Sequence, residues 1–340
     1  MSWNKPMPAE PVVAVVGATG AVGTEMMLVL EQRGFPIKRL VALSSARSAG
    51  KTVFFNGAPI RVEELTAESF EGVDLALFSA GGSVSEAMAG HATAAGAVVV
   101  DNSSAFRMDP KVPLVVPEVN PEDVDAHSGI IANPNCSTIQ MVVALKPLHD
   151  LAPIKRVVVS TYQAASGAGQ AAMDELYSQT RDFLNDEVSE PSAFAHRIAF
   201  NCIPQIDVFM EDGSTKEEWK MVVETKKIMH APDIEIAATC VRVPVLRCHA
   251  ESVNVEFDST VSLENASAAL AAAPGLTMMD DPSQQLYPMP GLLEGTDETY
   301  VGRLRVDSTV EHGLNLWVVA DQIRKGAALN AVQIAERLLP

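Results

Sequence analysis

Short apolar runs and helical stretches alternate along the first part of the chain. The hydrophobic pattern predicts strands at residues 11–16, 39–43, 74–79, 98–100 and 129–132. It predicts helices at residues 24–32 and 83–95 between them. Because strands that alternate with helices usually form parallel sheets, we expect a mostly parallel sheet here.

The segments after about residue 133 are longer and are joined by acidic loops. The pattern predicts strands at residues 156–162, 234–243 and 252–257, and helices near residues 169–181 and 215–229. This mixture is typical of an α+β domain. The closing stretch from residue 315 predicts one strand and then a long amphipathic helix, which we expect to rejoin the first domain.

The acidic composition of the chain limits the kinds of molecule that it can bind. The 43 acidic residues outnumber the 25 basic ones, and the resulting charge of −18 argues against binding to nucleic acid or to anionic membranes. Neither the opening ten residues nor any later apolar run is long enough to cross a bilayer, so we expect a cytoplasmic protein with no membrane partner. An anionic ligand would need a local basic pocket.

A glycine turn links the first predicted strand to the first predicted helix. Gly17, Gly20 and Gly23 have the spacing G-x-x-G-x-x-G, which departs from the common dinucleotide fingerprint but meets the same physical demand. Without side chains, backbone amides at a helix N-terminus can approach a pyrophosphate. The alternative is a tight connection with no ligand.

The end of the second predicted strand distinguishes NADP from NAD. Enzymes that use NAD usually place an acidic residue there to bind the ribose 2′-hydroxyl, but this chain has none between Glu31 and Glu63. Arg47 and Ser48 stand there instead, and a guanidinium with a neighbouring hydroxyl suits a 2′-phosphate. We therefore expect NADP, with a solvated loop cation as the alternative reading of Arg47.

Cys136 lies at a polar junction between a strand and an apolar helix. The sequence around it contains a proline and hydrogen-bonding residues, which are signals of a helix start. A helix N-terminus stabilises a thiolate, and its amides can form an oxyanion hole. Cys136 is therefore the candidate nucleophile, whereas we expect Cys202 and Cys240 to be buried, inert thiols.

A nucleophilic cysteine needs a proton donor and acceptor, and histidine is the usual one. The candidates are His91, His127, His149, His196, His230, His249 and His312. Spacing does not choose among them, although His249 closes a segment that also holds Arg242 and Arg247. Cys248 and His249 have no second Cys/His pair at metal-ligand spacing, so we expect no metal.

A set of motifs in this order resembles bacterial aspartate-semialdehyde dehydrogenase over most of the chain. The motifs are GATGAVG, SSARS, DNSSAFRM, NPNCSTIQ, TYQAASGAG, EEWKMVVETKKI, RVPVLRCH and NLWVVADQIRKGAALN. The resemblance implies NADPH-dependent reductive dephosphorylation of L-aspartyl-4-phosphate to L-aspartate-4-semialdehyde, with release of phosphate, in lysine, methionine and threonine biosynthesis. It also implies a homodimer.

The resemblance assigns roles to individual residues. It implies that Cys136 forms the acyl-thioester, that His249 is the general acid/base and removes the hydroxyl proton of the thiohemiacetal, and that Gln163 orients the substrate. It implies that Arg242 binds the substrate α-carboxylate and Glu217 its α-amino group. The implied phosphate ligands are Arg107, Asn135 and Lys220. The implied NADP ligands are Thr19, Gly20, Ala21, Val22, Arg47, Ser48, Ser166, Gly167 and Gln322.

We therefore expect an α/β protein with an N-terminal Rossmann-type NADP-binding domain and an α+β catalytic and dimerisation domain. The expected boundaries are residues 1–133 with 313–340 for the first domain and residues 134–312 for the second. Cys248 departs from the family, which commonly has glycine before the histidine, and it introduces a bulkier and oxidisable neighbour.

Two other functions fit part of the pattern. N-acetyl-γ-glutamyl-phosphate reductase shares the glycine turn and the cysteine chemistry, but Glu217 favours a substrate with a free α-ammonium. A catalytically silent NADP-binding scaffold would have no need for Cys136, Gln163, Arg242 and His249 together.

Overall fold

The computed structural model describes residue 3, residues 5–187 and residues 189–340. Over these residues the chain forms two compact units, Met1–Asn135 with Ala327–Pro340, and Cys136–Gly326. Residues 1, 2 and 4 lie outside the description, so the expectation for the opening segment falls partly outside it. Among the described residues, no helix has both the length and the apolar character needed to cross a bilayer.

The first unit is built on a parallel sheet. Its elements in chain order are β1 (Val12–Val16), α1 (Ala21–Gln32), β2 (Arg39–Ser44), β3 (Thr52–Phe55), β4 (Ala58–Arg61), β5 (Glu63–Glu64), β6 (Leu75–Phe78), α2 (Gly82–Ala94), β7 (Val98–Asp101) and β8 (Ile130–Ala132). The described strands pair in the order β5-β2-β1-β6-β7-β8, and β3 with β4 forms a separate hairpin. The order reverses at β1, where doubly wound sheets bind their ligands beyond the strand ends.

Burial on both faces explains the apolar run of β1. Val13 and Val15 belong to one core cluster, which includes residues of α1, whereas Ala14 and Val16 belong to a second cluster with residues of α2. Successive residues of a strand point to opposite faces, so a sheet covered on both sides needs continuous apolar strands.

The second unit carries a mixed sheet. Its elements are α3 (Cys136–His149), β9 (Ile154–Gln163), α4 (Gln170–Leu184), α5 (Lys216–Ile228), β10 (Glu235–Arg242), β11 (His249–Phe257), α6 (Leu263–Ala272), β12 (Leu276–Met278), α7 (Pro290–Leu293), β13 (Thr299–Asp307) and β14 (Gly313–Ala320). The described strands pair in the order β10-β9-β11-β14-β13-β12. Sequence patterning did not predict β12, β13 or α6.

The closing part of the chain differs from the expected boundary at residue 313. Strand β14 pairs antiparallel with β11 and β13, so it belongs to the second unit. The chain leaves that unit after Gly326, and α8 (Leu329–Arg337) packs into the core of the first unit through Leu329, Val332 and Ile334. Backbone pairing assigns a strand to its sheet, and the hydrophobic pattern of β14 does not reveal its partner.

Candidate active site

The glycine turn has the geometry that a phosphate-binding loop requires. Gly17 has φ +88°, a conformation that favours glycine, and Gly20 directly precedes α1. A Cβ placed on Gly23 would lie 2.2 Å from the carbonyl oxygen of Gly17. The turn therefore leaves no room for a side chain at position 23, the third residue of α1 after Ala21 and Val22.

The predicted cofactor residues at the end of β2 lie beside this turn. The hydroxyls of Thr19 and Ser44 share a hydrogen bond of 3.0 Å, which links the glycine turn to the end of β2. Arg47 follows in an exposed turn and Ser48 is buried there. The first unit thus brings the glycines, Thr19 and the SSARS segment to one side of its sheet.

In the second unit, strand direction gathers the predicted catalytic residues. Strands β9 and β10 are parallel and end at Gln163 and Arg242, which are register partners. Strand β11 runs antiparallel to β9 and begins at His249, so all three side chains stand at the same edge of the sheet. Gln322 follows β14, which ends at that edge because Ala320 pairs with His249.

Cys136 is the first residue of α3, in the position that its sequence setting predicts. It is half-buried and forms no disulfide. A Cβ placed on Gly326 would lie 2.7 Å from the Cβ of Cys136, so that glycine makes room for the cysteine. Gly326 lies in a π-helical turn, Arg324–Ala328, and sequence reasoning missed it because a glycine within an amphipathic pattern carries no distinct signal.

The hydrogen bonds of His249 fix its tautomer. Its Nδ1 accepts a hydrogen bond of 3.0 Å from the backbone N–H of Ala164, so the neutral ring carries its proton on Nε2. The side chain is fully buried, and burial together with the nearby Arg242 holds the pKa of His249 well below its ordinary value. Nε2 forms no hydrogen bond with the described residues. His249 is therefore a neutral N–H donor in the resting protein.

Arg242 supplies the positive charge of this edge. Its Nη1 donates a hydrogen bond of 2.6 Å to the carbonyl of Ala164. Burial lowers the pKa of Arg242, and the charges of Glu217 and Cys136 oppose that shift, which places both groups within electrostatic reach. The guanidinium therefore favours the thiolate form of Cys136.

Glu217 joins the predicted substrate residues into one network. Its carboxylate accepts hydrogen bonds from Gln163 Nε2 at 3.3 Å and from Lys220 Nζ at 3.2 Å. Lys220 also donates to Asp207 at 2.7 Å. Burial alone would lower the pKa of Lys220, but Glu217 and Asp207 outweigh it and raise that pKa, so the lysine stays charged.

Arg107 and Asn135, two of the three predicted phosphate ligands, belong to the first unit. Arg107 is buried and donates to the backbone carbonyls of Asn133 at 2.9 Å and Asn102 at 3.0 Å. Asn135 is buried and directly precedes Cys136 in the chain.

The remaining predicted cofactor residues surround the histidine in the second unit. A Cβ on Gly167 would lie 2.7 Å from Nη1 of Arg242 and 3.0 Å from Nε2 of His249. Gln322 donates a hydrogen bond to the hydroxyl of Ser166 and accepts one of 2.8 Å from the backbone N–H of Cys248. Gly167 therefore leaves space for the side chains of Arg242 and His249, a constraint that its motif did not reveal.

The other cysteines differ from one another. Cys240 is buried as predicted, and burial raises the pKa of its thiol far above the ordinary range. Cys202 is exposed, so the prediction that it is buried was wrong; its apolar sequence neighbours Ile198, Ala199 and Ile203 are buried, but the Cys202 side chain itself faces solvent. Cys248 has φ +72° and is fully buried, and burial raises the pKa of its thiol to about 12, which protects it from oxidation.

A loop that sequence reasoning missed packs over Arg242. The ring of Phe194 lies 5.9 Å from the guanidinium carbon of Arg242. Glu175 and Gln179 of α4 hold this loop, because the Glu175 carboxylate accepts the N–H of Ser192 at 2.8 Å and Gln179 Oε1 accepts the N–H of Ile198 at 2.9 Å. A carboxylate and an amide on a helix rarely signal a loop anchor in sequence.

Comparison with known proteins bears on both units. The family model described as "Semialdehyde dehydrogenase, NAD binding domain" matches residues 12–127, and "Semialdehyde dehydrogenase, dimerisation domain" matches residues 145–325. Aspartate-semialdehyde dehydrogenase of Bacillus subtilis is 56% identical over 334 residues, with 96% of each chain covered. The enzyme of that name from Aquifex aeolicus is 57% identical over 331 residues, covering 96% of this chain and 97% of that one.

The chain belongs to the aspartate-semialdehyde dehydrogenase family. This confirms the resemblance inferred from the motifs and the predicted α/β fold class with its NAD-binding and dimerisation domains. Aspartate-semialdehyde dehydrogenase II from Vibrio cholerae has a TM-score of 0.95 at 50% identity, with 97% of this chain and 98% of that chain covered. A second structure of that family member is described as complexed with ASA, with the same TM-score, identity and coverage.

Proposed function

We propose that this protein reduces L-aspartyl-4-phosphate to L-aspartate-4-semialdehyde with NADPH, through a thioester on Cys136. The observation that carries the proposal is the placement of Cys136 at the first position of α3, within electrostatic reach of Arg242. Arg242 in turn borders Gly167, which also borders His249. These residues supply a nucleophile, a positive charge and an N–H donor.

The glycine turn fits a dinucleotide. The positive φ of Gly17 shapes the turn, and the missing Cβ of Gly23 lets the turn pack directly against the start of α1, whose backbone amides are the proposed pyrophosphate ligands. Arg47 and Ser48 follow β2, where the chain lacks an acidic residue, and this favours NADP over NAD. When bound, the cofactor supplies the hydride that reduces the thioester. The proposed cofactor residues of the second unit are Ser166, Gly167 and Gln322.

The first chemical step is thiolate attack. The Cys136 sulfur forms a bond to the substrate carbonyl carbon, and the bond from that carbon to the phosphate oxygen breaks. The helix start and Arg242 both stabilise the thiolate before attack. Arg107, Asn135 and Lys220 are the proposed ligands of the departing phosphate, whose negative charge the two cations offset.

The tautomer of His249 refines its role in the second step. With the proton on Nε2, His249 donates a hydrogen bond to the oxygen that becomes negative when the thioester is reduced. The alkoxide then expels the Cys136 thiolate by cleavage of the carbon–sulfur bond, and the aldehyde forms. This step needs no proton removal by His249, so donation replaces the general-base role implied by the family resemblance.

Substrate recognition uses the charged pair beside the sulfur. Arg242 is the proposed ligand of the α-carboxylate, since its planar guanidinium can form two parallel hydrogen bonds. Glu217 is the proposed ligand of the α-ammonium group. An N-acetylated substrate lacks that charge, and this favours aspartyl phosphate over N-acetyl-γ-glutamyl phosphate.

We also infer a homodimer that forms through the second unit. The face of its sheet that carries Tyr162 and Trp317 leaves Tyr162 39% exposed, and the two rings are 5.3 Å apart. Uncovered aromatic side chains on a sheet are typical of subunit contacts. Sedimentation of the purified protein and of Tyr162→Asp checks this, with the variant expected to shift toward the monomer.

The decisive experiment is phosphate-dependent reduction of NADP with aspartate semialdehyde. We expect turnover with NADP that exceeds turnover with NAD, and none without phosphate or in Cys136→Ala. N-acetylglutamate semialdehyde is the competing substrate, and preference for it would overturn the substrate assignment. Failure of iodoacetamide to label Cys136 preferentially at neutral pH would favour a silent scaffold.

A further inference from the structure

Two backbone carbonyls hold Arg107, one of the proposed phosphate ligands. Its Nε donates to the carbonyl of Asn133 at 2.9 Å, and its Nη2 donates to the carbonyl of Asn102 at 3.0 Å. Asn102 directly follows β7 and Asn133 directly follows β8, and these two strands are parallel neighbours in the first sheet. The direction in which the guanidinium points therefore depends on how the two strand ends are fixed.

The side chains of the same two asparagines are joined to each other. The Nδ2 group of Asn133 donates to Oδ1 of Asn102 at 2.7 Å. The side chain of Asn133 is fully buried, whereas that of Asn102 is half-buried. Burying an amide is costly unless its donor and its acceptor are both paired, so Oδ1 of Asn133 needs a donor.

Asn330, a fully buried residue of α8, supplies that donor. Its Nδ2 donates to Oδ1 of Asn133 at 2.7 Å and to the backbone carbonyl of Val115 at 2.9 Å. The turn that leads into α8 makes a second contact, because the carbonyl of Ala327 accepts a hydrogen bond of 3.4 Å from Nδ2 of Asn133. The C-terminal segment of the first unit thus contacts both ends of the Asn133 amide.

The two backbone carbonyls fix the orientation of the asparagine amides. A carbonyl oxygen only accepts, so the atom of Asn330 that faces Val115 is Nδ2. By the same argument, the atom of Asn133 that faces Ala327 is Nδ2. Each Nδ2 carries two N–H groups, and the second one reaches Oδ1 of the next asparagine. The amides therefore form one chain, from Asn330 through Asn133 to Asn102, in which every link has a donor and an acceptor.

We infer that Asn330 is a positioning residue that holds Arg107 in place for phosphate, acting through Asn133. The amide of Asn330 fixes Asn133, and the backbone carbonyl of Asn133 orients the guanidinium. The inference rests on the proposed role of Arg107 and deepens it, because it gives the returning C-terminal helix a part in phosphate binding. Asn135, another proposed phosphate ligand, follows Asn133 by two residues and is fixed by the same contacts.

Isothermal titration calorimetry with inorganic phosphate tests this without turnover. Asn330→Ala should raise the Kd for phosphate roughly tenfold to a hundredfold, since misplacing a binding group by about 1 Å has effects of that order. Asn330→Asp should act in the same direction, because an ionised carboxylate has no N–H to donate. Val332→Ala is the matched control, since this buried residue of α8 packs in the apolar core and its truncation lowers stability alone. A wild-type Kd in Asn330→Ala, or an equal rise in Val332→Ala, would overturn the inference.

A double-variant cycle tests whether Asn330 acts through Arg107. Arg107→Ala removes the ligand itself and should raise the Kd for phosphate at least as much as Asn330→Ala. The double variant should bind phosphate no more weakly than Arg107→Ala, because the second change then has no guanidinium to displace. Additive losses would overturn the inference. An unchanged Kd in Arg107→Ala would overturn the phosphate role of Arg107 together with the inference, whereas an unchanged Kd in Asn330→Ala alone would leave that role standing.

Kinetics extend the test to the proposed reaction. In the reduction of NADP with aspartate semialdehyde and phosphate, Asn330→Ala should raise the KM for phosphate and leave the KM values for aspartate semialdehyde and NADP unchanged. An equal rise in all three KM values would indicate general distortion and would overturn the positioning role. Asn102→Ala serves if the Asn330 variants do not fold, because it removes the acceptor for Asn133 at a half-buried position. A wild-type KM for phosphate in Asn102→Ala would then overturn the inference.

Discussion

The glycine turn of the first unit uses the backbone of consecutive residues, from Gly17 to Gly23, whereas the reactive group of the second unit uses side chains from distant segments. Cys136, Gln163, Arg242 and His249 come from one helix and three strands. In the turn, the proposed binding of the cofactor depends on the absence of side chains. In the second unit, the proposed chemistry depends on individual side chains. Mutations in the turn should therefore change the affinity for NADPH, whereas mutations of these side chains should change turnover or substrate binding.

The largest effect should come from Cys136→Ala. Loss of the sulfur removes the covalent route, and we expect turnover to fall by at least about 10³-fold, as for other nucleophile deletions. NADPH binding, followed by fluorescence titration, should be unchanged because the turn is intact. Cys202→Ala is the control, since that cysteine is exposed in a surface loop. Substantial turnover by Cys136→Ala would show that the chemistry does not pass through the sulfur.

Gly23→Ala should weaken cofactor binding and leave the reactivity of Cys136 unchanged. A methyl group 2.2 Å from the Gly17 carbonyl forces the turn to shift, at a cost of about 1–3 kcal/mol. We expect the Kd for NADPH to rise by roughly 5–150-fold, since about 1.4 kcal/mol corresponds to a factor of ten, while Cys136 keeps its reactivity toward iodoacetamide. Gly82→Ala is the control, because its Cβ would meet open space. Equal Kd values for NADPH in Gly23→Ala and Gly82→Ala would show that the close packing of the turn at Gly23 does not matter for cofactor binding.

Arg242→Lys should weaken the binding of the substrate without changing the binding of the cofactor. Lysine keeps the charge but loses the planar fork, and the loss of one charge-assisted hydrogen bond costs about 1.5–3 kcal/mol. The KM for aspartate semialdehyde should therefore rise by at least about tenfold, while the Kd for NADPH stays constant. Arg181→Lys, at an exposed position on α4, should leave both constants unchanged. An unaltered KM in Arg242→Lys would mean that another group binds the α-carboxylate.

The smallest expected effect belongs to Phe194→Leu. Its ring lies over the Arg242 guanidinium, and a contact of this kind is worth about 0.5–2 kcal/mol. We expect the KM for aspartate semialdehyde to rise by roughly 2–30-fold. Phe183→Leu is the matched control, since that ring stacks with Arg197 at 5.1 Å and lies 45% exposed. Equal KM values for the two variants would assign Phe194 to packing alone.

Several parts of the site were predictable because their signals are local. The start of α3 at Cys136 follows from polar residues and a proline before an apolar run. The glycine turn follows in the same way from a strand, three glycines and a helix. The sequence did not reveal the contacts that Gly326, Gly167 and Phe194 make with the predicted catalytic and substrate residues. Each contact joins residues that are far apart in the chain, so the residues next to each one carry no signal of it.

The sequence by itself determined the parallel sheet of the first unit, the turn that follows β1 and the helical position of Cys136, because burial periodicity and turn chemistry act over a few residues. Tertiary structure decided that β14 joins the second sheet, that His249 stands at the edge with Gln163 and Arg242, and that Ala164 fixes its tautomer. Strand pairing and desolvation depend on groups that are remote in sequence, and a local pattern contains no record of which remote groups come together.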